Sequence, residues 1–169
     1  LWQKTYYPKF KRFLDGSKQN RGDIILSLPL NGEGRLLPGS ATSPGGNYSY
    51  LAINFPASAA DGLQAIYVFA HEVSGRVVEV AVSDHTTPAE GRNGVRAAYE
   101  SDGLVVGGFY VLKRIAPELA DGYARYYLQS TRVLTGSGTM ESALLAAFPV
   151  PQLIRESIIR QIDAVMSGI

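Results

Sequence analysis

Apolar residues recur at steps of three and four between Leu63 and Val77, and this stripe constrains the fold more than any other feature. Its members are Leu63, Ile66, Ala70, Val73 and Val77. Such spacing puts the side chains on one face of an α-helix, and that face must be covered by other elements. Ser58 and Asp61 have the spacing of a capping box, with Asp in place of Glu or Gln. The sequence therefore predicts a helix from Ser58 to about Val82. Because Val77–Val82 is rich in β-branched residues, a strand is an alternative for the end of this helix.

Three β-favouring segments precede this helix, at Ile24–Leu28, Arg35–Leu37 and Tyr48–Phe55. Asn31-Gly32 predicts a two-residue hairpin turn between the first two segments. The third alternates apolar and polar residues, as a half-buried strand does. Helices are predicted on both sides of this region, and a polar loop is predicted at 84–94. The predicted helices are Pro8–Asp15, Val95–Ile115, Pro117–Ser130, Met140–Ala147 and Pro151 to the stop at Gly168.

The order of these elements predicts an α+β fold in a single domain, residues 1–169. A small, partly antiparallel N-terminal sheet is followed by a mostly helical C-terminal part. Three glycines, Gly103, Gly107 and Gly108, lie inside the longest predicted helix. Each costs about 1 kcal/mol relative to alanine in a helix interior. The sequence therefore predicts that another helix packs there too closely for a β-carbon.

Composition narrows the classes of function. Of the 169 residues, 46% are hydrophobic and 18% charged, which is typical of a folded globular protein. The absence of cysteine excludes disulfides, thiolate nucleophiles and Cys-ligated zinc. A net charge of +1 gives no case for nucleic acid, and no apolar run is long enough to span a membrane. We expect a soluble protein. Its compartment stays open, because the chain starts at Leu1 and a removed upstream segment would make it extracytoplasmic.

Basic residues concentrate at the start of the chain, where six of the 16 lie in the first 21 positions. Two interpretations stay open. The cluster binds an anionic partner or membrane surface, or it is a solvated helix face beside Phe10 and Phe13.

The chemistry centres on His71-Glu72, which lies on the striped helix. A His-Glu pair on a buried helix is the first half of H-E-x-x-H, in which two histidines on one helix face bind zinc and the glutamate handles a water. The position of the second histidine holds Gly75. A second segment, Ala98–Gly103, places Glu100 on the following helix, 29 residues after His71.

Read together, these segments resemble the zincin-like zinc metallopeptidases of the gluzincin, thermolysin-like kind. The resemblance covers about a third of the chain, from Tyr48 to Tyr110, and implies a zincin-like fold and peptide hydrolysis. It implies zinc ligation by His71 and Glu100 and a general-base role for Glu72, whereas Gly75 departs from the motif. His85 compensates for the missing ligand only if its loop folds back over the site.

The resemblance also implies that the strand before the His-Glu helix is an edge strand that takes up substrate backbone. Its candidate binding residues are Tyr50, Ala52 and Asn54. The partner would be a peptide or protein, and the oligomeric state is open.

Several alternatives remain. His71 can equally be a core histidine bonded to a backbone carbonyl or to Glu100. Glu72 and Glu100 could in principle be a glycosidase pair. Tyr123 or Tyr126 could stabilise an oxyanion or simply fill the core.

The sequence has no G-x-S-x-G, no Walker loop and no G-x-G-x-x-G after a strand. The rival function is a non-catalytic peptide- or protein-binding module that uses the groove beside the His-Glu helix.

Overall fold

The computed structural model describes residues 2–19, 22–27, 34–38, 49–54, 59–129, 131 and 138–168. Helices account for most of them. A π-helical segment, Trp2–Tyr6, runs into the first α-helix, and a 3-10 turn, Pro117–Leu119, precedes the sixth. The α-helices are α1 (Tyr7–Gly16), α2 (Ala59–Val73), α3 (Gly75–Asp84), α4 (Pro88–Arg92), α5 (Val95–Ile115), α6 (Ala120–Leu128), α7 (Met140–Ala147) and α8 (Gln152–Ser167).

The α+β class predicted from the sequence is wrong, because the molecule is mainly helical. The described strands are short: β1 (Gly22–Ser27), β2 (Gly34–Pro38) and β3 (Ser49–Asn54). Their order is β1-β3-β2, with β1 parallel and β2 antiparallel to β3. The first two strands therefore do not pair with each other as a hairpin would require, and Asn31-Gly32 lies outside the described residues. Local turn chemistry predicted the wrong neighbour because β3, which is distant in sequence, lies between them.

The striped helix is real but divided. It ends at Val73, and α3 begins at Gly75 after a break at Ser74. The alternative of a strand over Val77–Val82 is wrong, because α3 buries Val77, Val78, Ala81 and Val82. The stripe thus predicted the buried face correctly across both helices. It carried no information about the break, since Ser74 keeps a right-handed helical conformation and does not shift the apolar period.

A short helix occupies part of the predicted polar loop at 84–94. Thr87 accepts a hydrogen bond from the Glu90 backbone N–H, and the Glu90 carboxylate accepts one from the Thr87 N–H at 2.7 Å. This reciprocal capping box, followed by Pro88 at the first helical position, is sufficient to start α4. Hydrogen bonds from Thr87 also lower the pKa of Glu90.

The core lies where α5 packs against its neighbours. It contacts α2, α3, α6 and α8 and buries most of its length from Gly103 to Ile115. The N-terminal helix joins the same core through Phe10 and Phe13, both fully buried. On the other side of α2, Leu51 and Ile53 of β3 are buried. This arrangement places the His-Glu pair at the end of α2, between α5 and α6.

Candidate functional site

His71 and Glu72 lie in the last turn of α2 and bond to each other. The Nδ1 atom of His71 is 3.0 Å from Oε1 of Glu72, and their side chains are 15% and 14% exposed. The imidazole stacks on the Tyr127 ring, with centroids 5.2 Å apart and planes 15° apart. When the imidazole is neutral, this bond puts its proton on Nδ1 and leaves Nε2 as the basic nitrogen. The pair can therefore accept a proton, but a reaction also needs a partner group.

Ser74 does not supply that partner. Its hydroxyl is fully buried, donates to the His71 carbonyl at 2.7 Å and lies 3.2 Å from the Leu104 carbonyl. A hydroxyl held between two carbonyls, one on each helix, bonds α2 to α5 across the helix break. Its role is structural.

The third predicted metal ligand, Glu100, lies well away from His71 along α5. Gly108 is the residue of α5 that approaches His71, because a β-carbon at Gly108 would lie 2.9 Å from the His71 Cα. Glu100 precedes Gly108 by eight residues, which at 1.5 Å per residue is about 12 Å along the helix axis. Its carboxylate instead accepts a hydrogen bond from Arg96 Nε at 2.9 Å. The same distance rules out a core histidine bonded to Glu100. His71 bonds to Glu72 instead.

His85 is also remote. It is exposed, at the C-terminal end of α3, and its backbone N–H bonds to Val82. Helical rise over the fourteen residues from His71 amounts to roughly 20 Å. No three His, Cys, Asp or Glu side chains of the described ranges are grouped so that they could hold a metal ion. The predicted zinc-binding group is therefore not assembled among these residues: the His-Glu pair is present, but Glu100 and His85 lie on other turns.

The predicted peptide-binding strand is enclosed. Tyr50 of β3 pairs with Asp23 of β1 on one side and with Leu37 of β2 on the other. Ala52 is paired on both sides as well, and Asn54 pairs with Ser27 of β1. A strand whose backbone is paired on both sides cannot accept a further strand. The groove predicted beside an edge strand is therefore not formed.

Tyrosines of α2 and α6 form an aromatic cluster that contacts His71 through Tyr127. Tyr123 is fully buried, and its hydroxyl donates to the Val105 carbonyl at 2.9 Å. Its ring centroid lies 6.0 Å from that of Tyr67 and 4.6 Å from that of Tyr127. Burial raises the pKa of Tyr67. The core interpretation of Tyr123 is correct, because its hydroxyl is committed to the backbone of α5.

A second candidate site, which the sequence did not indicate, is an open cleft of about 320 Å³ between α5, α7 and α8. One wall is a network centred on Glu141, in the first turn of α7. Its Oε1 accepts from the Tyr110 hydroxyl at 2.8 Å and its Oε2 accepts from Lys113 at 2.6 Å. Burial acts to raise the pKa of Glu141, but these two hydrogen bonds outweigh it and lower the pKa. Burial and the same carboxylate raise the pKa of Tyr110.

On the opposite side of the cleft the ion pair is more exposed to solvent, so a ligand can replace one of its partners. Arg114 donates through Nε to Asp163 at 3.1 Å, and the two side chains are 51% and 56% exposed. Exposed ion pairs contribute about 0–1 kcal/mol, so the guanidinium is held weakly. Between the walls lie Ile159 and Ile162. The cleft therefore joins an apolar floor to a guanidinium that, within the described residues, donates a hydrogen bond only through Nε.

Sequence reasoning reached only one part of this cleft. Ile154, Ile158 and Ile162 recur at steps of four in the sequence of α8, and this spacing predicts a core-facing stripe that includes Ile162. Glu141 lies 31 residues from Tyr110 and 28 from Lys113, and Asp163 lies 49 from Arg114. No local pattern links residues at such separations. An acidic residue in the first turn of α7 was visible, but it has an ordinary explanation at a helix N-terminus.

In comparisons with known proteins, no family model, no curated protein and no solved structure matched this chain. Within the described residues, no helix is both long and apolar enough to cross a membrane.

Proposed function

We propose that this chain is a non-catalytic binding module whose recognition site is the cleft between α5, α7 and α8. The observation that carries the proposal is the combination of Ile159 and Ile162 with the Arg114 guanidinium at one site. Ligand sites generally combine apolar walls with a few polar groups that fix orientation. The ligand we infer is a polypeptide segment that carries an apolar side chain beside a carboxylate.

Size and charge support this ligand class. A volume of about 320 Å³ is at the lower end of the range for ligand sites, so it suits one or two side chains. The carboxylate would displace Asp163 from Arg114, and a guanidinium can bind a carboxylate through two parallel hydrogen bonds. Glu141 stays bound to Tyr110 and Lys113 and keeps its wall in place. The apolar side chain would cover the two isoleucines.

The simplest probe is N-acetyl-leucine, with N-acetyl-leucinamide as the matched ligand that lacks the carboxylate. Titration followed by NMR of isoleucine methyl groups should shift Ile159 and Ile162 first. At about 0.3 kcal/mol per non-hydrogen atom, a ligand of about twelve such atoms binds with a Kd on the order of 1 mM. We expect the amide to bind at least about fivefold more weakly.

Two variants make the test specific. Arg114→Gln should weaken binding of N-acetyl-leucine to the level of the amide. Arg160→Gln removes the same charge from an exposed position of α8 and should leave binding unchanged. Equal binding of acid and amide, equal effects of the two variants, or no methyl shift up to about 20 mM, well above the expected Kd, would each overturn the proposal.

A further inference from the structure

The first 22 residues differ strongly in charge from the rest of the sequence, although the whole chain carries only +1. Residues 1–22 contain six basic side chains and one acidic side chain, which gives +5. The remaining residues contain 10 basic and 14 acidic side chains, which gives −4. The molecule is nearly neutral because the positive charge concentrated in the first 22 residues is offset by negative charge in the rest of the chain.

The fold presents this charge on a surface. Along the N-terminal helical segment, Tyr6, Phe10 and Phe13 are buried and hold the helix against the core. The basic side chains of the segment, and that of Lys18 just after it, are all exposed. They are Lys4, Lys9, Lys11, Arg12 and Lys18. We call these five residues the cationic face. The apolar face of the helix is already used in the core, so any partner of the cationic face must bind from outside.

Few acidic groups neutralise the cationic face. Lys11 bonds to Asp15, its neighbour one turn later, at 2.5 Å. Lys9 is 4.0 Å from Glu118, at the limit of an ion pair, and both side chains are about half exposed. Neither Lys4 nor Arg12 forms an ion pair within the part of the chain that the structure describes. The exposed pairs are weak, so most of the positive charge remains accessible to an anionic partner.

An exposed aromatic residue indicates which kind of anionic partner fits. Tyr7 lies beside these cations and is 44% exposed, one of two large hydrophobic side chains with high exposure among the described residues. Tyrosine and tryptophan favour the interface between lipid headgroups and water, and lysine and arginine beside them bind anionic headgroups. Single-stranded nucleic acid would call for several stacking aromatic rings along a basic groove. Tyr7 is the one exposed aromatic ring of the described N-terminal helical segment.

We propose that the cationic face docks the protein peripherally onto a bilayer that contains anionic lipids. The negative remainder of the chain would be repelled by the same surface, so the charge separation also orients the molecule. Binding would be electrostatic, with Tyr7 at headgroup level and no inserted helix. None of the residues involved belongs to the cleft between α5, α7 and α8, so the two proposals succeed or fail separately.

The test is sedimentation of the intact chain with vesicles at about 0.1 M salt, where charges still act over about 10 Å. Vesicles of phosphatidylcholine with about 30% phosphatidylserine should bind the protein, and pure phosphatidylcholine should not. The triple variant Lys4→Glu, Lys11→Glu and Arg12→Glu should bind at least about tenfold more weakly. Raising the salt to about 0.5 M should release the wild-type protein.

The matched control makes the same change in net charge elsewhere, with Arg92→Glu, Arg125→Glu and Arg160→Glu, all at exposed positions. It should retain vesicle binding, and circular dichroism should show that both triple variants are folded. Equal loss of binding in the two triple variants would mean that only net charge matters and would overturn the proposal. So would equal binding to pure phosphatidylcholine, or tighter binding to a 30-nucleotide oligothymidine than to the anionic vesicles.

Discussion

At Gly108 there is no space for even a methyl group. A β-carbon there would overlap the Tyr123 hydroxyl and lie 2.9 Å from the His71 Cα. The backbone of α2 cannot retreat without disturbing the Ser74 bonds, and Tyr123 is fully buried. The cost of placing a side chain at this position is therefore steric, and it must exceed the gain in helix propensity.

We predict that Gly108→Ala lowers the free energy of unfolding by about 1–3 kcal/mol, the usual cost of overpacking. The matched control is Gly62→Ala, because no atom lies within 4 Å of a β-carbon at Gly62 in α2. That variant should be neutral or gain up to about 1 kcal/mol from helix propensity. Urea unfolding followed by circular dichroism measures both. Equal effects of the two variants would contradict the close approach of α5 to His71.

A second prediction concerns Gly75, the position where the zinc motif would have its second histidine. A β-carbon at Gly75 would lie at an ordinary 3.6 Å from Leu104 Cδ2, so the site tolerates a side chain. Since Glu100 is about 12 Å away along α5 from the level of His71, Gly75→His should not create a zinc site. Thermal melts of this variant with and without zinc should coincide, as should those of Gly75→Ala. A zinc-dependent rise in Tm for the histidine variant alone would restore the metal interpretation.

The prediction that another helix packs closely against the glycines of α5 is confirmed, because it followed from the local cost of glycine in a helix. Three glycines inside a helix are unfavourable unless something packs against them, and β-carbons at Gly103, Gly107 and Gly108 would indeed meet Val78, Ser74 and His71. The identity of those neighbours could not be predicted. It depends on the register of α5 against α2 and α3, which no local pattern specifies. The register against α2 separates His71 from Glu100.

At the scale of elements, the Glu141 network connects α7 to α5. The pKa of Glu141 is lowered in the folded state, so its contribution is present above pH about 4.5 and is lost as the pH falls further. The pKa of Tyr110 is raised, so its contribution is present below pH about 10 and is lost as the pH rises. The network should therefore stabilise the protein fully only between these limits.

We predict that Glu141→Gln removes the acid-side part of this pH dependence and Tyr110→Phe the alkaline part. Each variant should lose about 1–3 kcal/mol near pH 7, because each breaks a hydrogen bond to a charged group. Unfolding free energies measured from pH 3 to 11 test this, with Glu156→Gln as the control for loss of a carboxylate that bonds within α8. A pH profile of Glu141→Gln parallel to that of the wild type would contradict the assignment.

Helix bounds, which depend on residues close in sequence, were predicted better than strand pairing, which depends on residues far apart. The bounds of α5 and α7, two elements held by local hydrogen bonds, were predicted correctly. The stop of α8 at Gly168 was also correct, since that glycine has φ 75° and suits a helix end. Strand neighbours were not predictable. A parallel partner for β3 must come from elsewhere in the chain, so the edge-strand prediction for Tyr50, Ala52 and Asn54 failed.

At the scale of the whole molecule, the N-terminal helix is part of the core. Trp2 is the single tryptophan of the chain, and its ring centroid lies 5.6 Å from that of Phe10 and 5.2 Å from that of Phe69 of α2. Gly16 approaches Val165 of α8 so closely that a β-carbon would lie 2.5 Å from the Val165 carbonyl oxygen. Tryptophan fluorescence therefore reports on the docking of the N-terminal helix onto the rest.

We predict that Phe10→Ala lowers the free energy of unfolding by about 3–5 kcal/mol. In both the wild type and the variant, fluorescence and far-ultraviolet circular dichroism should give the same midpoint. Tyr7→Ala, at an exposed position on the same helix, should cost less than about 1 kcal/mol. An earlier fluorescence transition would show that the N-terminal helix detaches before the remaining helices unfold.

The contact between Gly108 and Tyr123 also has an evolutionary consequence. The Tyr123 hydroxyl occupies the space that a side chain at position 108 would need, and it bonds to the Val105 carbonyl of the same helix. Substitution at either position alone is penalised, by overlap in one case and by an unfilled volume in the other. In any homologue the two positions should therefore covary, with a residue larger than glycine at 108 accompanied by one smaller than tyrosine at 123.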